Sequence, residues 1–599
     1  MSAHRISSFS TTALLVAMLC PATTVLAQNS TQQLVPRNTQ IAVIVPGLDD
    51  MQAGFETLQQ AIPMLPLDDA IEGIDTMADQ FGPSYDGSRA IVAVVPNVMM
   101  LMTTAQAGQP AVVLLVPVNN YTAFVENLGG SASDAITEIF PPDGAAMFAK
   151  REGDYAAVSQ NQVSLQQYKP GGNNTPVTNQ LSDDLEAKTD GSALAIYVNL
   201  EALSPVVLPF LDMGIAQGVN QMEMQLSMTD MDDAAIDQQI AGFKMVGESV
   251  KTMFRDCTAA LIAVDLNDTA ADIDVAFQMK PGSTMSKHFP GGGNLTGTIG
   301  KLPDEPFMVA GGFDAKAIRL SDLMEAMVTT APAMKNSMPG YDQWGPLMDD
   351  MKRYSYALYE PKDSGTDGML RSVGRIEYGN PAAARNAMPD IMAAMNQFQA
   401  PVGPNGDMMT YNTSTQKNAG QVDGQSYDTY TYRLDMPPQV TQQMGPVAGL
   451  ISMVSNYSGM VTNTENTLIA TTVQDEALLA AAIKADRGNA SDPAMVADAR
   501  SSALPEGLAA EMYFNIDGIV SAASGAISAM GMPEITAPGD LPPIAIGLGI
   551  KDNAMIHRVH LPFESISFLA EEGQKLMGGM MGAGMQPQTA PQTGPRAPF

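Results

Sequence analysis

One short pattern occurs four times along the chain: an apolar strand, a glycine or asparagine, an apolar residue and an acid, followed by an amphipathic helix. Glycine and asparagine tolerate the turn that leaves a strand, and the positive end of a helix dipole favours an acid in the first turn. The pattern therefore predicts four strand-to-helix joints and constrains the chain to a repeated architecture. The four copies are Ile41–Asp49, Ala195–Glu201, Phe307–Asp314 and Glu511–Asp517.

The second and fourth copies match best, and their order predicts a duplication. Their equivalent residues are Tyr197 and Tyr513, Asn199 and Asn515, and Glu201 and Asp517. Each of these two joints is followed by a strand that ends in proline, at Pro281 and Pro562 respectively. We therefore expect a first half over residues 28–300, with a second subdomain from about 191, and a second half over 302–577, with a second subdomain from about 505.

The two halves differ in the length of chain between these joints. Asn199 lies 82 residues before Pro281, whereas Asn515 lies 47 residues before Pro562. The extra segment predicts a long helix that starts near Thr229 and Asp232 and packs on one face. Its apolar residues recur at spacings of three and four: Ile236, Ile240, Phe243, Val246, Val250 and Met253.

Alternating segments at residues 147–158, 354–359 and 427–434 predict half-exposed antiparallel strands. Combined with the helical segments, they indicate an α+β fold. We expect antiparallel or mixed sheets with helices packed on one face, internally duplicated.

The N-terminus has the pattern of a secretory signal peptide over residues 1–27. His4 and Arg5 precede the apolar run Thr12–Leu19, and small residues before Gln28 suit cleavage after Ala27. We expect an exported protein, periplasmic or extracellular, and no transmembrane segment, because no later apolar run has the length that spans a bilayer. The Gly-, Pro-, Met- and Gln-rich segment 578–599 predicts a disordered tail.

The charge balance excludes one class of partner. Lys and Arg number 31 against 64 Asp and Glu, which gives a net charge of −33 and a pI near 4.3. A surface this acidic repels phosphate backbones, so nucleic acid is not an expected partner. A protein or small-molecule ligand remains open.

The usual catalytic constellations are absent from the sequence. Cleavage removes Cys20 and leaves Cys257, which we expect to be a small buried hydrophobe. Besides His288, the mature chain has His557 and His560, which lie three apart on a predicted strand and so face opposite sides. The nucleophile-elbow, P-loop and dinucleotide motifs do not occur. We therefore assign no catalytic, cofactor-binding or metal-binding residue and expect no cofactor.

Three metal alternatives have ordinary structural explanations that we favour. The four joint acids would need to converge in space, and helix capping already explains them. The acidic segments 265–274 and 363–368 suggest calcium but suit hairpin turns. Two methionine groups resemble Cu(I) ligands, although methionine is abundant chain-wide: Met222, Met224, Met228 and Met231, and Met577, Met580, Met581 and Met585.

Several of these features resemble large exported bacterial proteins, planctomycete-like, with repeated strand–helix units. The similarity rests on the signal peptide, on residues 34–39 preceding Ile41, and on joints spread over about residues 34–577. It implies an exported α+β repeat protein and no particular activity.

The sequence thus favours a non-enzymatic binding or envelope-associated structural protein. An extracytoplasmic hydrolase with two carboxylates dispersed in the sequence is the alternative, since such a pair leaves no local motif.

Overall fold

The twenty strands of the described chain form one continuous antiparallel sheet. The computed structural model describes residues 31–62, 67–105, 109–141, 145–172, 174–228, 233–330, 340–362, 371–397, 399–401, 408–437, 456–488, 491–529 and 535–584. The predicted signal peptide lies outside these residues.

The strands fall into two groups along the chain. The first group is β1 (Ile41–Val45), β2 (Ile91–Val95), β3 (Val113–Pro117), β4 (Thr137–Ile139), β5 (Met147–Glu152), β6 (Tyr155–Ser159), β7 (Leu194–Val198), β8 (Cys257–Leu266) and β9 (Ala270–Met279). The second is β10 (Phe307–Asp314), β11 (Met351–Tyr359), β12 (Ser372–Tyr378), β13 (Gln399–Pro401), β14 (Met408–Val422), β15 (Gln425–Asp435), β16 (Asn456–Asn463), β17 (Thr467–Thr471), β18 (Leu508–Phe514), β19 (Ile544–Lys551) and β20 (Ala554–Pro562).

Helices connect the strands in both groups. In the first they are α1 (Leu48–Ala61), α2 (Asp68–Phe81), α3 (Val98–Ala105), α4 (Tyr121–Asn127), α5 (Gln162–Gln167), α6 (Pro176–Gln180), α7 (Asp183–Gly191), α8 (Leu200–Leu226), α9 (Asp233–Asp256) and α10 (Thr284–His288). In the second they are α11 (Leu320–Thr330), α12 (Tyr341–Asp350), α13 (Pro381–Met395), α14 (Glu476–Arg487), α15 (Ala494–Ser502), α16 (Ile516–Ala529) and α17 (Phe563–Gly584).

The same strand order is built twice, outward from a central pair. From β9 the neighbours run β8, β7, β1, β2, β3, β6, β5 and β4. From β20 they run β19, β18, β10, β11, β12, β17, β16 and β15, with β14 and β13 added at the edge. The predicted α+β class and internal duplication are confirmed. We retain the boundaries near residues 191, 300 and 505 as a proposal.

The two best-matching joints occupy equivalent places in the two sheets. Tyr197 pairs with Ala42 of β1, and Tyr513 pairs with Ala310 of β10; both rings are fully buried. The backbone N–H of Asn199 donates to Gln40 and that of Asn515 donates to Met308. Both asparagines therefore stand at the strand exit, as the sequence predicts.

The two halves meet where β9 pairs with β20. Tyr197 pairs with Leu261 and Tyr513 with Ala545, and these partners pair onward with Ala276 and His560. Ala276 and His560 are therefore equivalent, and so are Asp274 and Arg558, which lie two residues before them. The register of β9 with β20 places Asp274 directly opposite Arg558. The seam thus has the geometry of a two-fold dimer interface, in which the residue on the axis faces its own copy.

Charged groups fill one face of this seam. Arg558 forms a bidentate ion pair with Asp274: Nε donates to Oδ1 at 2.6 Å and Nη2 donates to Oδ2 at 2.8 Å. Lys188 Nζ lies 2.6 Å from the same carboxylate and 2.5 Å from that of Asp265. Burial alone would raise the pKa of Asp274, but the hydrogen bonds from Arg558 and the charge of Lys188 hold it below its usual range.

Helices cover both faces of the first-half sheet, where the sequence predicted one. Apolar residues of β3 alternate between two cores: Val113 and Leu115 pack with α5 to α7, and Leu114 and Val116 pack with α1, α2 and α4. Such an uninterrupted apolar run is typical of a strand buried on both faces. The expectation of one covered face came from the three alternating segments. These segments do form strands: the first is the pair β5 and β6, the second is part of β11, and the third is part of β15.

Two helices differ from their predicted surroundings or length. The predicted long helix is α9, but its apolar stripe is only partly buried, since Val246 is 60% exposed and Phe243 37%. Its partner is α8, which no periodic apolar pattern predicted.

At the C-terminal end of the described chain, α17 extends through Gly584, so residues 578–584 of the expected disordered tail are helical. Residues 585–599 lie outside the described chain.

Replacing Arg558 by Met should destabilise the protein, because it leaves the Asp274 carboxylate buried without its two-pronged partner. We expect the free energy of unfolding at pH 7 to fall by about 3 kcal/mol, the low end for breaking a buried pair, since Lys188 remains. The pKa of Asp274 is lowered by folding, so the stabilisation is complete above the ordinary carboxyl pKa. It is lost as the pH falls through the folded-state value. Denaturant titrations at pH 7 and at acidic pH measure both effects.

The matched control is Arg433→Met, which removes an arginine from the exposed pair with Asp435. That variant should lose no more than about 1 kcal/mol. Equal losses in the two variants would show that the seam pair contributes no more than a surface pair.

Candidate docking surface

The four acids of the repeated joints do not converge on one site. Because β1 and β7 are antiparallel neighbours, their exits, which carry Asp49 and Glu201, lie at opposite ends of the sheet. The same holds for Asp314 and Asp517, at the exits of β10 and β18. Within the described residues, no three His, Cys, Asp or Glu side chains are grouped to hold a metal ion.

The histidines and the cysteine behave as their sequence context predicts. His557 is exposed on one face of β20, whereas His560 on the other face places Nδ1 2.6 Å from Asp272 Oδ1. Cys257 is a free, fully buried thiol, and burial raises its pKa to about 12. A thiol with this pKa stays protonated and is a poor nucleophile at neutral pH.

The first calcium candidate is a hairpin turn with its carboxylates already engaged. Asn267 Oδ1 accepts the backbone N–H groups of Thr269 and Ala270 between β8 and β9. Asp265 and Asp274 pair with Lys188. The second candidate, residues 363–368, lies outside the described chain, as do Met231 and Met585 of the copper candidates.

The acids of the two equivalent joints, Glu201 and Asp517, make different hydrogen bonds. Glu201 is exposed, and its Oε2 accepts one hydrogen bond, from Gln180 Nε2 at 3.4 Å. The Asp517 carboxylate accepts the backbone N–H groups of Gly539 at 3.0 Å and Leu541 at 2.9 Å. Asp517 thus links the loop at Gly539 and Leu541 to the start of α16. The sequence had predicted only a favourable interaction of this acid with the N-terminus of its own helix.

The feature that the fold leaves most exposed is a two-helix arm formed by α8 and α9. The helices run antiparallel: Lys251 Nζ lies 2.6 Å from Asp212 Oδ1, and Gly218 and Gly247 lie against Phe243 and Ile215. A Cβ added at either glycine would come within about 2.6 Å of the facing side chain, so small residues permit the close approach. At the base, Ser204 Oγ donates to the carbonyl of Phe254 at 2.5 Å.

Most of α8 is not buried by the rest of the protein. The structure describes all of α8, and after Leu203 its one buried residue is Val219. By length and composition alone α8 is the described helix that could cross a membrane, and 11% of its most apolar window is buried. The sequence suggested no spanning segment because polar residues interrupt this apolar stretch.

An uncharged stripe of three exposed apolar side chains, interrupted by the polar residues Gln217 and Gln221, runs along the outer side of α8. Phe210, Met213 and Met224 are 52%, 51% and 67% exposed. At 3.6 residues per turn their spacing places them within an arc of about 60°. Asp212 lies on the opposite side, where it pairs with Lys251 of α9. The stripe is therefore about 20 Å long and carries no charge.

Half-exposed aliphatic side chains continue from the arm base across the centre of the sheet. Ala260 and Phe277 pack with Met253 and Phe254 of α9. On the same face, farther along these strands, Ile262 and Ile273 are 38% and 36% exposed. These partly exposed side chains lie beside the base of the arm.

No protein-family model and no curated protein matches the chain. Two solved structures have partial similarity, described as crystal forms I and III of TP0453. They show 9% and 12% identity, cover 46% and 44% of this chain and 98% and 89% of theirs, and have TM-scores of 0.20 and 0.19. Similarity this low supports no statement about fold or function.

The joint acids give a testable contrast. Asp517→Ala leaves two backbone donors without a partner and should lower the free energy of unfolding by about 1–3 kcal/mol. Glu201→Ala, at the equivalent exposed position, should cost less than about 0.5 kcal/mol. Denaturant titration of both variants measures the difference, and equal losses would contradict the loop-tying role.

Proposed function

We propose that this protein is an exported, non-enzymatic binding protein of the cell envelope that attaches to lipid surfaces through the arm of α8 and α9. The observation that carries the proposal is the exposed stripe of Phe210, Met213 and Met224 on an unburied 27-residue helix. A helix with one apolar face free inserts that face into the boundary between head groups and acyl chains.

The arrangement of charge favours lying on the membrane over crossing it. The partner helix α9 carries Asp237, Lys244, Glu248, Lys251 and Arg255, and burying those groups in hydrocarbon would be costly. The pairs of Lys251 with Asp212 and with Glu248 hold charges on the inner side of the arm. The outer stripe of α8 can then enter the interface alone.

Charge also determines which lipid the arm prefers. No Lys or Arg occurs anywhere in α8, and the chain carries a net charge of −33. Attraction to anionic head groups requires clustered basic residues near the membrane. The favoured surface is therefore a zwitterionic one.

The non-enzymatic role is proposed from the exposed arm, which offers a binding surface. The Cys257 thiol is buried. His560 contacts the carboxylate of Asp272 in the charged seam. The dispersed-carboxylate hydrolase stays the alternative, and its carboxylates would lie in a second-half cavity of about 670 Å³ that Glu305, Glu360 and Asp517 line.

Vesicle binding tests this function directly. The mature protein should co-sediment with phosphatidylcholine vesicles and bind phosphatidylglycerol vesicles more weakly at low salt. The triple variant F210S/M213S/M224S should bind at least about tenfold more weakly, because about 1.4 kcal/mol of lost apolar burial accounts for that factor.

Phe140→Ser is the matched control, because Phe140 is 53% exposed and follows β4, the edge strand of the first half, whereas the arm lies between β7 and β8. It should bind like the wild type. Absence of binding to phosphatidylcholine, or equal binding by the triple variant, would overturn the proposal and leave a protein partner for the arm as the alternative.

Export has its own test. Intact-mass measurement of protein recovered from the cell envelope or medium should give a chain that begins at Gln28, with Cys20 removed. A retained N-terminus would contradict the predicted localisation.

A further inference from the structure

A cavity of about 380 Å³ opens at the base of the arm and is called the first-half cavity below. Strands β2 and β7 both pair with β1 in the antiparallel sense, so they end at the same edge of the sheet, where α3 and α8 begin. Met100 of α3 and Ala202 of α8 line the cavity. Its volume lies in the range of small-molecule sites.

Hydrogen bonds fix the walls of the first-half cavity. The side chain of Gln40 lies between the two helices: its Oε1 accepts the backbone N–H of Val98 at 2.7 Å, and its Nε2 donates to the carbonyl of Ala202 at 3.4 Å. On the α8 side, Asn199 Nδ2 donates to the carbonyl of Thr39 at 3.3 Å. The cavity is therefore built into the edge of the sheet.

Arg37 carries the one charge among the described residues that line this cavity. Its side chain is exposed, and its guanidinium has no ion pair or hydrogen bond within the described chain. Acidic residues number 64 against 31 basic ones, and arginines elsewhere pair with carboxylates: Arg371, Arg375, Arg385, Arg500 and Arg558. A cleft whose charge has a single sign attracts ligands of the opposite sign, so this cavity favours an anion.

Neutral amides add N–H donors to this cation. Asn97 Oδ1 accepts a backbone N–H in the first turn of α3 at 3.0 Å, and Asn199 Oδ1 accepts one in the first turn of α8 at 2.9 Å, so these two acceptors are already occupied. Asn97 Nδ2 has no partner within the described chain, and the exposed amides of Asn38 and Gln167 also line the cavity. Donors thus reach it from three segments: the loop before β1, the turn before α3 and the end of α5.

Uncharged apolar surface borders the same cavity. The helix α3 has no charged residue and no buried side chain, and its Met99 and Met102 are 37% and 57% exposed. On the other side, α8 leads to the exposed stripe at Phe210 and Met213. A ligand whose polar group enters the cavity can therefore place an apolar portion beside α3 and α8.

We propose that the first-half cavity binds a phosphate group, supplied by the head group of a phospholipid in the surface to which the arm attaches. A guanidinium fork donates to two oxygens of one phosphate, and the amides of Asn97 and Gln167 would donate to the others. The single negative charge of a phosphodiester balances the single positive charge of Arg37. This inference rests on the proposed function in taking a membrane as the source of the phosphate.

A tetrahedral phosphate suits these donors better than a planar carboxylate. The two oxygens of a carboxylate lie in one plane, and a single guanidinium can occupy both. Donors from three separate segments require acceptor oxygens that point in more directions. Phosphatidylcholine, a lipid of the zwitterionic class that the arm favours, carries such a phosphate.

Calorimetry with a soluble lipid tests the inference on the full mature chain. The probe is dihexanoylphosphatidylcholine, titrated below the concentration at which it forms micelles. Wild type should bind one molecule saturably, and Arg37→Gln should bind about tenfold more weakly, which corresponds to about 1.4 kcal/mol. Thermal melting of Arg37→Gln without lipid should match the wild type, because Arg37 is exposed and has no partner within the described chain.

Arg433→Gln is the matched control, because it removes the same charge from an exposed arginine of β15, in the second half. It should bind the soluble lipid like the wild type. Inorganic phosphate and hexanoate, titrated separately, should both bind more weakly than the lipid. Inorganic phosphate that binds as tightly as the lipid would overturn the head group as the source, and hexanoate that does so would overturn the phosphate. Non-saturable binding, or equal weakening in the two arginine variants, would overturn the site itself.

The soluble lipid binds without insertion of the arm, so the two proposals can fail separately. Vesicle binding without saturable binding of dihexanoylphosphatidylcholine would overturn the cavity proposal alone. Saturable binding of the soluble lipid without vesicle binding would overturn the docking role of the arm alone.

Discussion

The pairing of β9 with β20 holds the two halves in one sheet, and its central contact is the ion pair of Asp274 with Arg558. These residues occupy equivalent positions, so a symmetric dimer of either half would place like charges face to face across the axis. Fusion into one chain lets the two copies differ, with a carboxylate on one side and a guanidinium on the other. The seam is therefore specified by charge as well as by strand pairing, and it favours the half-to-half arrangement over its symmetric alternatives.

The sequence predicts the repeated joints well, because their determinants are local. A tyrosine on the buried face, an asparagine at the exit and an acid in the next turn need only a strand and a helix around them, and both copies are where the pattern places them. The pairing of strands 284 residues apart leaves no local signal. Neither the seam nor the salt bridges of Lys188 with Asp265 and Asp274 could be derived from spacing.

The arm shows where periodicity misleads. The stripe of α9 from Ile240 to Met253 has the spacing of a core-facing helix, yet Val246 is largely exposed, because the stripe packs on another exposed helix. Sequence period identifies an apolar face but does not identify what covers it. The outer stripe of α8 is harder still to recognise, since Gln217 and Gln221 interrupt it and two of its three apolar residues are methionines. The second-half cavity escapes prediction for a related reason, because Glu305 and Asn515 lie 210 positions apart and come to line it only through the pairing of β10 with β18.

Duplication explains why the docking arm and the acidic cavity occur in different halves. The sheet requires the buried tyrosine and the strand-exit asparagine at each joint, so these are the same in both copies. The segment that follows is under no such constraint: the first half extends it by 35 residues, which corresponds to the arm of α8 and α9, and the second half keeps it short. Each half also has a cavity beside its joint, and Arg37 lines the first-half cavity where Glu305 lines the second-half cavity. A scaffold that fixes two residues per joint and leaves their surroundings variable lets one copy acquire an apolar surface while the other acquires a charged one.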